Sequence, residues 1–494
     1  MTTEGNLANT RRRIRVRLAV SLAVSALAVG SVALAAVGAA CALNATTARA
    51  STSPSITPAP TASALATATE AATPSPTPAT QSATQSATQS PTPTPLRAPS
   101  VHDQFVAAGT EPTVAADPSR PGVLAVASQN VFMSSPTVGC SVPTIRISLD
   151  GGATWGAAIY PWAHQCQDMH VVVAWGSNGR LWAGDAVGVG GGNVSMSVTH
   201  SDDMGMSWSR LFVQRFTQPW LGCFPTLTVD NWPGSPNFGT VYVAYNWLPN
   251  AYGPTVAVMA TRDGTNWVHT EVPVEGLEGY QYSWRIGYRV AAVPDGTAFV
   301  AFYQSDLRHW SAGDIMNQGF GSNIGRMGFL IARVHFEGDV LTADRPSWAT
   351  TVDHTQAQWQ SGLAIDGSGE PWLAVESEGR VSLGRLDGRW LQFSIPGSYC
   401  IKPSLAISGQ TIFVGWHAYD GQNQVSTYYT LSYDGGLTFL PPSLVSASRW
   451  NRSLETGPNG VGLRENADFR DGVVYYAYGD ARSGNAVYVA QIQP

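Results

Sequence analysis

The chain has 494 residues, of which 13% are charged, with 50 Gly and 17 Trp and a formal net charge of −6. This composition excludes a coiled coil or a long helical bundle, which need abundant Glu, Lys and Leu. The lack of a basic surplus argues against a nucleic-acid partner. Because a single core stops growing at roughly 250–300 residues, the length requires several domains or one large repeat fold.

The first 43 residues have the pattern of a membrane signal. Residues 1–17 form a basic cytoplasmic segment with the run RRRIRVR, and residues 18–43 are uncharged and apolar. A bilayer needs roughly 20 such residues, and Arg on the N-terminal side keeps that side cytoplasmic. We therefore expect a single-pass transmembrane helix with the rest of the chain outside the cell. Cleavage at Ala48-Arg49-Ala50, or lipid attachment at Cys41, would instead give a secreted or lipid-anchored form.

Residues 44–100 are a low-complexity tract rich in Pro, Thr, Ser and Ala. They contain too few apolar residues to offset their ordering entropy, so we predict a disordered, extended linker. The remainder differs, because all 17 Trp lie beyond residue 101. Residues 101–494 carry 32 acidic and 21 basic side chains, a net charge of −11. We predict that they form one acidic folded domain.

Four segments of this domain repeat one pattern, in which Ser or Thr is followed by Asp, Gly and an aromatic residue. The Asp residues are spaced by 53, 60 and 171 positions, and 171 is three times 57, so a unit of nearly constant length recurs. The Asp can close a turn, the Gly supplies a positive φ, and the aromatic ring folds back as an apolar plug. We expect degenerate (worn) copies of the pattern at Phe336–Asp339 and Leu386–Trp390. The four structural pairs are Asp150 with Trp155, Asp203 with Trp208, Asp263 with Trp267, and Asp434 with Phe439.

These segments resemble the Asp-box repeats, S-x-D-x-G-x-x-W, of bacterial sialidases and the wider Asp-box propeller group. The resemblance covers residues 101–494 and implies an all-β propeller whose Asp boxes are structural and lie away from the central pocket. It also implies binding of glycans or another exported ligand, with a sialidase-type glycoside hydrolase and a non-catalytic interaction scaffold as alternatives. One fold hosts many functions, and the family's Arg-Ile-Pro motif is absent: Arg146-Ile147 and Arg285-Ile286 are not followed by Pro.

Short strands at even spacing set the number of blades. The last unit ends after its third strand, and Asp103–Ala107 precedes the first unit without a partner of its own. We predict that this segment supplies the missing strand and closes the ring. The expectation is seven four-stranded antiparallel blades, with six as the alternative. The seven predicted inner strands start at or next to Pro112, His170, Pro225, Tyr288, Gly362, Pro403 and Asn466.

Residues just before the inner strands of a propeller gather at one mouth of the central channel. Charged residues recur at five of these seven places in a chain with only 13% charged residues. They could contact a ligand, form solvated loops, or form a salt-bridged ring that plugs the channel. The candidate ligand-binding residues are Glu111, His170, Trp220, Trp359 and Lys402, the only lysine.

The resemblance to sialidases suggests catalytic roles at the same mouth. Arg285, Arg289 and Arg464 would hold a substrate carboxylate, because guanidinium groups match carboxylates. A tyrosine activated by a glutamate would be the nucleophile. Glu465 or Glu111 could pair with Tyr282, Tyr288 or Tyr399, and we select Tyr288 with Glu465. Asp168 would be the acid.

The remaining signals are weaker. The nine His show no ligand spacing, so we predict no metal site, and no motif indicates a cofactor. We expect a monomer. Cys140, Cys166, Cys223 and Cys400 form an even set in an exported chain, which permits two disulfides in any of three pairings.

Overall fold

The structure is a computed structural model. It describes residues 98–135, 138–162, 168–190, 193–209, 212–215, 225–247, 255–273, 284–305, 327–352, 360–386, 388–455, 461 and 465–494. In these ranges the regular structure is β except for a 3₁₀ turn at Arg452–Leu454, and no helix is long and apolar enough to cross a bilayer. The predicted transmembrane segment 18–43 and nearly all of the predicted linker lie outside them.

The strands, numbered β1 to β29 in chain order, form seven separate antiparallel sheets. The inner strands of blades 1 to 7 are β2 (Thr110–Ala116), β5 (Asp168–Trp175), β9 (Thr226–Val229), β13 (Trp284–Ala292), β18 (Gly362–Ile365), β22 (Ser398–Ser408) and β27 (Asn466–Arg470). The second strands are β3 (Leu124–Ser135), β6 (Leu181–Gly190), β10 (Val241–Trp247), β14 (Ala298–Ser305), β19 (Pro371–Ser377), β23 (Thr411–Asp420) and β28 (Val473–Asp480). The third strands are β4 (Val138–Ser148), β7 (Asn193–Ser201), β11 (Thr255–Thr261), β15 (Met327–Glu337), β20 (Arg380–Arg385), β24 (Gln424–Ser432) and β29 (Ala486–Gln493).

The outer strands are shorter and less regular. They are β8 (Phe212–Arg215), β12 (Val268–Glu271), β16 (Val340–Ala343), β21 (Leu391–Phe393), β25 (Ser443–Leu444) and, in blade 7, β1 (Ser100–Ala108). β17 (Ser347–Val352) also pairs with β15, and β26 (Trp450–Asn451) with β24. Blade 1 departs from the predicted four strands, because an isolated bridge between Ile145 and Ile159 takes the outer place in its described part.

One register feature is common to all seven blades. In each inner strand, the residue at which the regular ladder with the second strand begins, after the bulge where there is one, lies opposite Ala or Gly. These small residues are Ala127, Gly184, Ala244, Ala301, Ala374, Gly415 and Ala477. A Cβ on Gly415 would lie 2.9 Å from the ring of Tyr476 in the next blade. The small residues therefore let neighbouring blades approach closely around the channel.

The hydrophobic core lies in the seams between blades. Seven clusters of buried side chains each combine residues of two neighbouring blades. Box aromatics pack into the seam with the preceding blade, as the plug interpretation predicts. Trp155, Trp208, Trp267 and Phe439 do so in blades 1, 2, 3 and 6, and Trp390 does so at the worn box of blade 5.

Each of the four Asp boxes is a turn at the end of a third strand. In the first, Asp150 Oδ1 accepts hydrogen bonds from Ser148 Oγ at 2.7 Å and Thr154 N at 2.9 Å. Gly152 N donates to Ser148 Oγ at 2.7 Å. The carboxylates of Asp203, Asp263 and Asp434 are likewise engaged within their own turns.

Ring closure occurs as predicted. β1 pairs with β29 from Ser100 opposite Gln493 to Ala108 opposite Ala486, so the first strand completes the last blade. Arg482 Nη2 and Tyr478 Oη each donate to the Asp103 carboxylate at 2.8 Å and fix the added strand. Seven blades, not six, form the ring.

Candidate functional site at the channel mouth

We define the mouth as the end of the ring at which the seven inner strands begin. Since the strands of a blade alternate in direction, the connections from second to third strands also lie at this end, and the Asp boxes lie at the opposite end. Four inner strands enter through a β-bulge, where the register with the second strand shifts. The mouth therefore has a recurring irregularity that aims side chains away from the regular ladder.

Three of these bulges hold a non-glycine residue in the left-handed region. Glu111, His170 and Lys402 have φ of 55°, 70° and 54°, and each stands two residues before the first paired residue of its inner strand. In blade 4 the same place is occupied by Gly287. Left-handed backbone is costly for residues other than glycine, and such strain concentrates at functional sites.

Glu111 and His170 bring blades 1 and 2 together. His170 Nδ1 and Glu111 Oε2 form a hydrogen bond, and both side chains are buried. The two strained bulges are thus joined by a side-chain hydrogen bond between neighbouring blades.

The carboxylate of Glu465, in blade 7, is a second centre. Its Oε1 lies 2.5 Å from His417 Nε2 and 3.9 Å from Lys402 Nζ, while its Oε2 accepts from Tyr476 Oη at 2.9 Å. Thr427 Oγ1 lies 3.0 Å from the other ring nitrogen of His417. We call Glu465, His417, Lys402, Tyr476 and Thr427 the Glu465 cluster.

The backbone of Glu465 is held from the far side of the ring. Arg289 Nη2 in blade 4 donates to Glu465 O at 3.1 Å, and Gln360 Nε2, just before blade 5, donates to the same oxygen at 2.6 Å. Blades 4 and 7 are not neighbours, so Arg289 reaches across the channel. Side chains from four blades therefore meet at one residue and form a floor to the mouth.

The charges within the Glu465 cluster compensate one another. Burial raises the pKa of the Glu465 carboxyl, but the charge and hydrogen bond of His417 and the charge of Lys402 outweigh burial and place the pKa below its usual value. Burial and the adjacent Glu465 carboxylate raise the pKa of Tyr476 well above 10. Tyr476 is therefore a protonated donor to an ionised carboxylate.

The structure brings several predicted site residues together. Glu111 meets His170, Lys402 meets Glu465, and Arg289 meets the Glu465 carbonyl. Asp168, Arg285 and Tyr288 lie on inner strands, but only their backbones are described, and Trp220, Trp359 and Arg464 lie outside the described residues. Tyr399, an alternative nucleophile, donates to Glu376 and not to Glu465 or Glu111.

The sequence did not predict four residues of the site. His417 and Tyr476 lie on second strands and Thr427 on a third strand, whereas the predicted site residues all lie near the start of inner strands. Gln360, and not the predicted Trp359, stands two residues before the first paired residue of its strand. Aligning the seven units on their small second-strand residues places Gln360 in line with Glu111, His170 and Lys402.

No metal centre is evident in the part of the chain that the structure describes, since no three His, Cys, Asp or Glu side chains come close enough to share an ion there. Within the same residues, Cys400 is a buried free thiol. A free Cys400 excludes the predicted two disulfides, because each of the three pairings uses this residue. The side chains of Cys140, Cys166 and Cys223 lie outside the described set, so a single disulfide among them stays a prediction.

Comparisons with known proteins give only distant likenesses. No protein-family model and no curated protein matches the chain. An ulvan lyase of polysaccharide lyase family PL25 is 11% identical, with a TM-score of 0.47 over 78% of this chain and 94% of the lyase. A Penicillium chrysogenum α-L-arabinanase is 14% identical, with a TM-score of 0.45 over 65% of this chain and 94% of the arabinanase. A Hadza microbial sialidase is 14% identical, with a TM-score of 0.41 over 74% of this chain and 75% of the sialidase. These TM-scores are all below 0.5, and the likenesses assign no activity to this chain.

Proposed function

We propose that the protein binds a glycan at the mouth of its propeller. The observation that carries the proposal is the set of three left-handed residues, Glu111, His170 and Lys402, at equivalent bulges of three blades. Fold stability alone would favour glycine in this backbone conformation. Polar side chains on strained backbone at one end of a channel are typical of a binding site.

The chemistry of the floor suits a ligand rich in hydroxyl groups. Arg289, Gln360 and Lys402 supply donors, while Glu111 and Glu465 supply acceptors, and all five lie on inner strands or within two residues of them. A hydroxyl both donates and accepts, so alternating partners match a sugar better than a single-charge ligand. Arg285, Arg464, Trp220 and Trp359 remain further candidates for ligand contact on the grounds of sequence alone.

Binding without turnover is favoured over hydrolysis. A sialidase-type reaction needs a tyrosine that a glutamate activates and that the substrate can reach. Tyr476 does contact Glu465, but it is fully buried and its raised pKa keeps the phenol protonated. Hydrolysis by Tyr288 with Glu465 is the alternative that the assay below also tests.

The test uses the full chain in detergent on an array of neutral and acidic glycans, followed by calorimetry with the best glycan. Lys402→Met should weaken binding about tenfold or more, which corresponds to ~1.4 kcal/mol. The control is Asp339→Asn, on a fully exposed side chain at the Asp-box end. Absence of any bound glycan would contradict the proposal, and release of fluorophore from a fluorogenic sialoside would favour the hydrolase instead.

We further propose that the propeller is held at the outer surface of a membrane by residues 18–43. Support comes from the uncharged run and the Arg residues that precede it. Alkaline carbonate should leave the full chain in the membrane fraction, and protease added outside should digest the propeller. Recovery of the chain in the soluble fraction would contradict the anchor.

A further inference from the structure

A second buried carboxyl lies at the mouth end, between blades 5 and 6 and apart from the Glu465 cluster. Glu376, near the end of β19, is only 1% exposed. Its Oε1 accepts hydrogen bonds from Tyr399 Oη of β22 at 2.7 Å and from Gly379 N at 3.2 Å. Its Oε2 is buried and has no hydrogen-bond partner among the described residues.

The contact joins two blades through a tight hairpin. Glu378 and Gly379, with φ of 51° and 75°, form the two-residue turn between β19 and β20. Cys400 N donates to Gly379 O at 2.8 Å. The ring of Tyr399 covers the turn so closely that a Cβ on Gly379 would lie 2.8 Å from it. One phenol and one backbone amide of blade 6 thus hold the corner of blade 5.

The surroundings of Glu376 contain no compensating cation among the described residues. Arg380 is on the same hairpin as Glu376, but its Nη1 donates a hydrogen bond to Gln392 Oε1 at 2.9 Å. From β22 it faces the Tyr399 phenol and the Cys400 thiol, and Lys402 is engaged by Glu465. The ring of Tyr419 packs on the far side of Tyr399. The guanidinium of Arg452 lies over the Tyr419 ring, 5.5 Å from its centroid.

We propose that Glu376 and Tyr399 form a pH-sensitive latch between blades 5 and 6, closed while Glu376 is protonated and weakened when Glu376 ionises. Burying a carboxylate without a cation is costly. The two donated hydrogen bonds favour the ionised form, but burial outweighs them and raises the pKa of Glu376 to about 7. Opening to water would restore the ordinary value of 4.5.

The sign of the effect follows from linkage. The closed latch holds the proton up to about pH 7, whereas the opened latch releases it above about pH 4.5. Between these values the opening equilibrium rises about tenfold for each pH unit, and above pH 7 it levels off, because Glu376 is then ionised in both states. Tyr399 precedes Lys402 by three residues on β22, so a weakened latch would loosen the entry of that strand.

Hydrogen exchange of the full chain tests the latch without any ligand. After correction for intrinsic rates, protection of the Gly379 and Cys400 amides should fall about tenfold per unit from pH 5 to pH 7 and then level off. In Glu376→Gln it should not change with pH. Glu378→Gln makes the same chemical change two residues away on the exposed turn and should behave as the wild type.

Tyr399→Phe provides a second variant, because it keeps the ring over Gly379 and removes a bond that favours the ionised form. In this variant the protection of the Gly379 and Cys400 amides should level off at a pH above 7. Protection that is independent of pH in the wild type, or equal pH dependence in the wild type and Glu376→Gln, would overturn the latch. Neither result would bear on glycan binding at the mouth, which is measured separately.

Discussion

Glu465 shows how a single residue can organise the mouth. Its carboxylate binds groups from blades 6 and 7, and its carbonyl binds Arg289 and Gln360. A charge buried in this way is stabilised only as long as its partners remain. The residue is therefore a structural centre of the site as well as a candidate for ligand contact.

Glu465→Gln should destabilise the propeller by about 3 kcal/mol, because it leaves Lys402 and His417 buried beside a neutral amide. Chemical denaturation would measure the free energy of unfolding. Glu337→Gln, on an exposed strand end, is the matched control. A loss equal to that of the control would mean that the carboxylate is not needed to balance the cluster.

Asp-box carboxylates give a different pH signature. Hydrogen bonds from the hydroxyl and N–H of Ser207, and from Ser201, lower the pKa of Asp203 to about 2 from its usual 3.8. A folded pKa below the unfolded value means that the carboxylate stabilises the fold above pH 3.8 and loses this contribution as the pH falls to about 2.

Asp203→Asn should accordingly lower Tm at pH 7 by a few degrees and flatten the decline of Tm between pH 4 and pH 2. Thermal melts at several pH values provide the measurement, with Asp339→Asn as a control on an exposed side chain. An unchanged acid profile in Asp203→Asn would show that the box carboxylate does not contribute.

Among the elements, the seam between blades 7 and 1 is bridged by side chains of β27 that bond to the backbone at β2. Asn466 Oδ1 and Nδ2 bond to Val114 N and O at 2.6 and 2.9 Å, and Asp468 Oδ2 accepts from Ala116 N at 2.7 Å. Arg470 Nη2 continues the series to Pro118 O. Alternate residues of β27 thus form a ladder of hydrogen bonds to blade 1, although blades 7 and 1 lie at opposite ends of the propeller sequence.

Asn466→Ala should cost about 2 kcal/mol of stability, since it breaks two part-buried hydrogen bonds of the seam. Asn178→Ala, in an exposed turn between β5 and β6, is the control. Equal free energies of unfolding for the two variants would mean that the Asn466 hydrogen bonds do not stabilise the closed ring.

The elements were also the most predictable part of the molecule. Runs of small and β-branched residues located every inner strand, and the missing fourth strand of the last unit indicated that Asp103–Ala107 closes the ring. The irregular outer edge of blade 1 was not predicted, because a single bridge such as Ile145 with Ile159 leaves no periodic signal. The order of the residues in the sequence determines the blade to which a side chain belongs. It does not determine which residues of other blades that side chain contacts. The contacts of Arg289 with Glu465 and Tyr399 with Glu376 cross between blades and could not be foreseen.

At the scale of the whole molecule, stability depends on a closed ring. Removal of β1 would expose the edge of β29 and uncover the apolar seam that contains Val106 and Tyr475. A chain that begins at Thr110 should therefore aggregate, while one that begins at Ala98 should remain soluble and monomeric. Gel filtration distinguishes them, and a soluble monomer from the shorter chain would contradict this role for β1.

The position of β1 also has a mechanical consequence. Ser100 lies opposite Gln493 at the Asp-box end, and the strand runs from there to the mouth, where Gly109 leads into blade 1. A pull applied at Ser100 and resisted by a ligand at the mouth would act along the axis of β1. Because antiparallel hydrogen bonds run perpendicular to their strands, the rungs between β1 and β29 would share this load in shear and would not open one at a time.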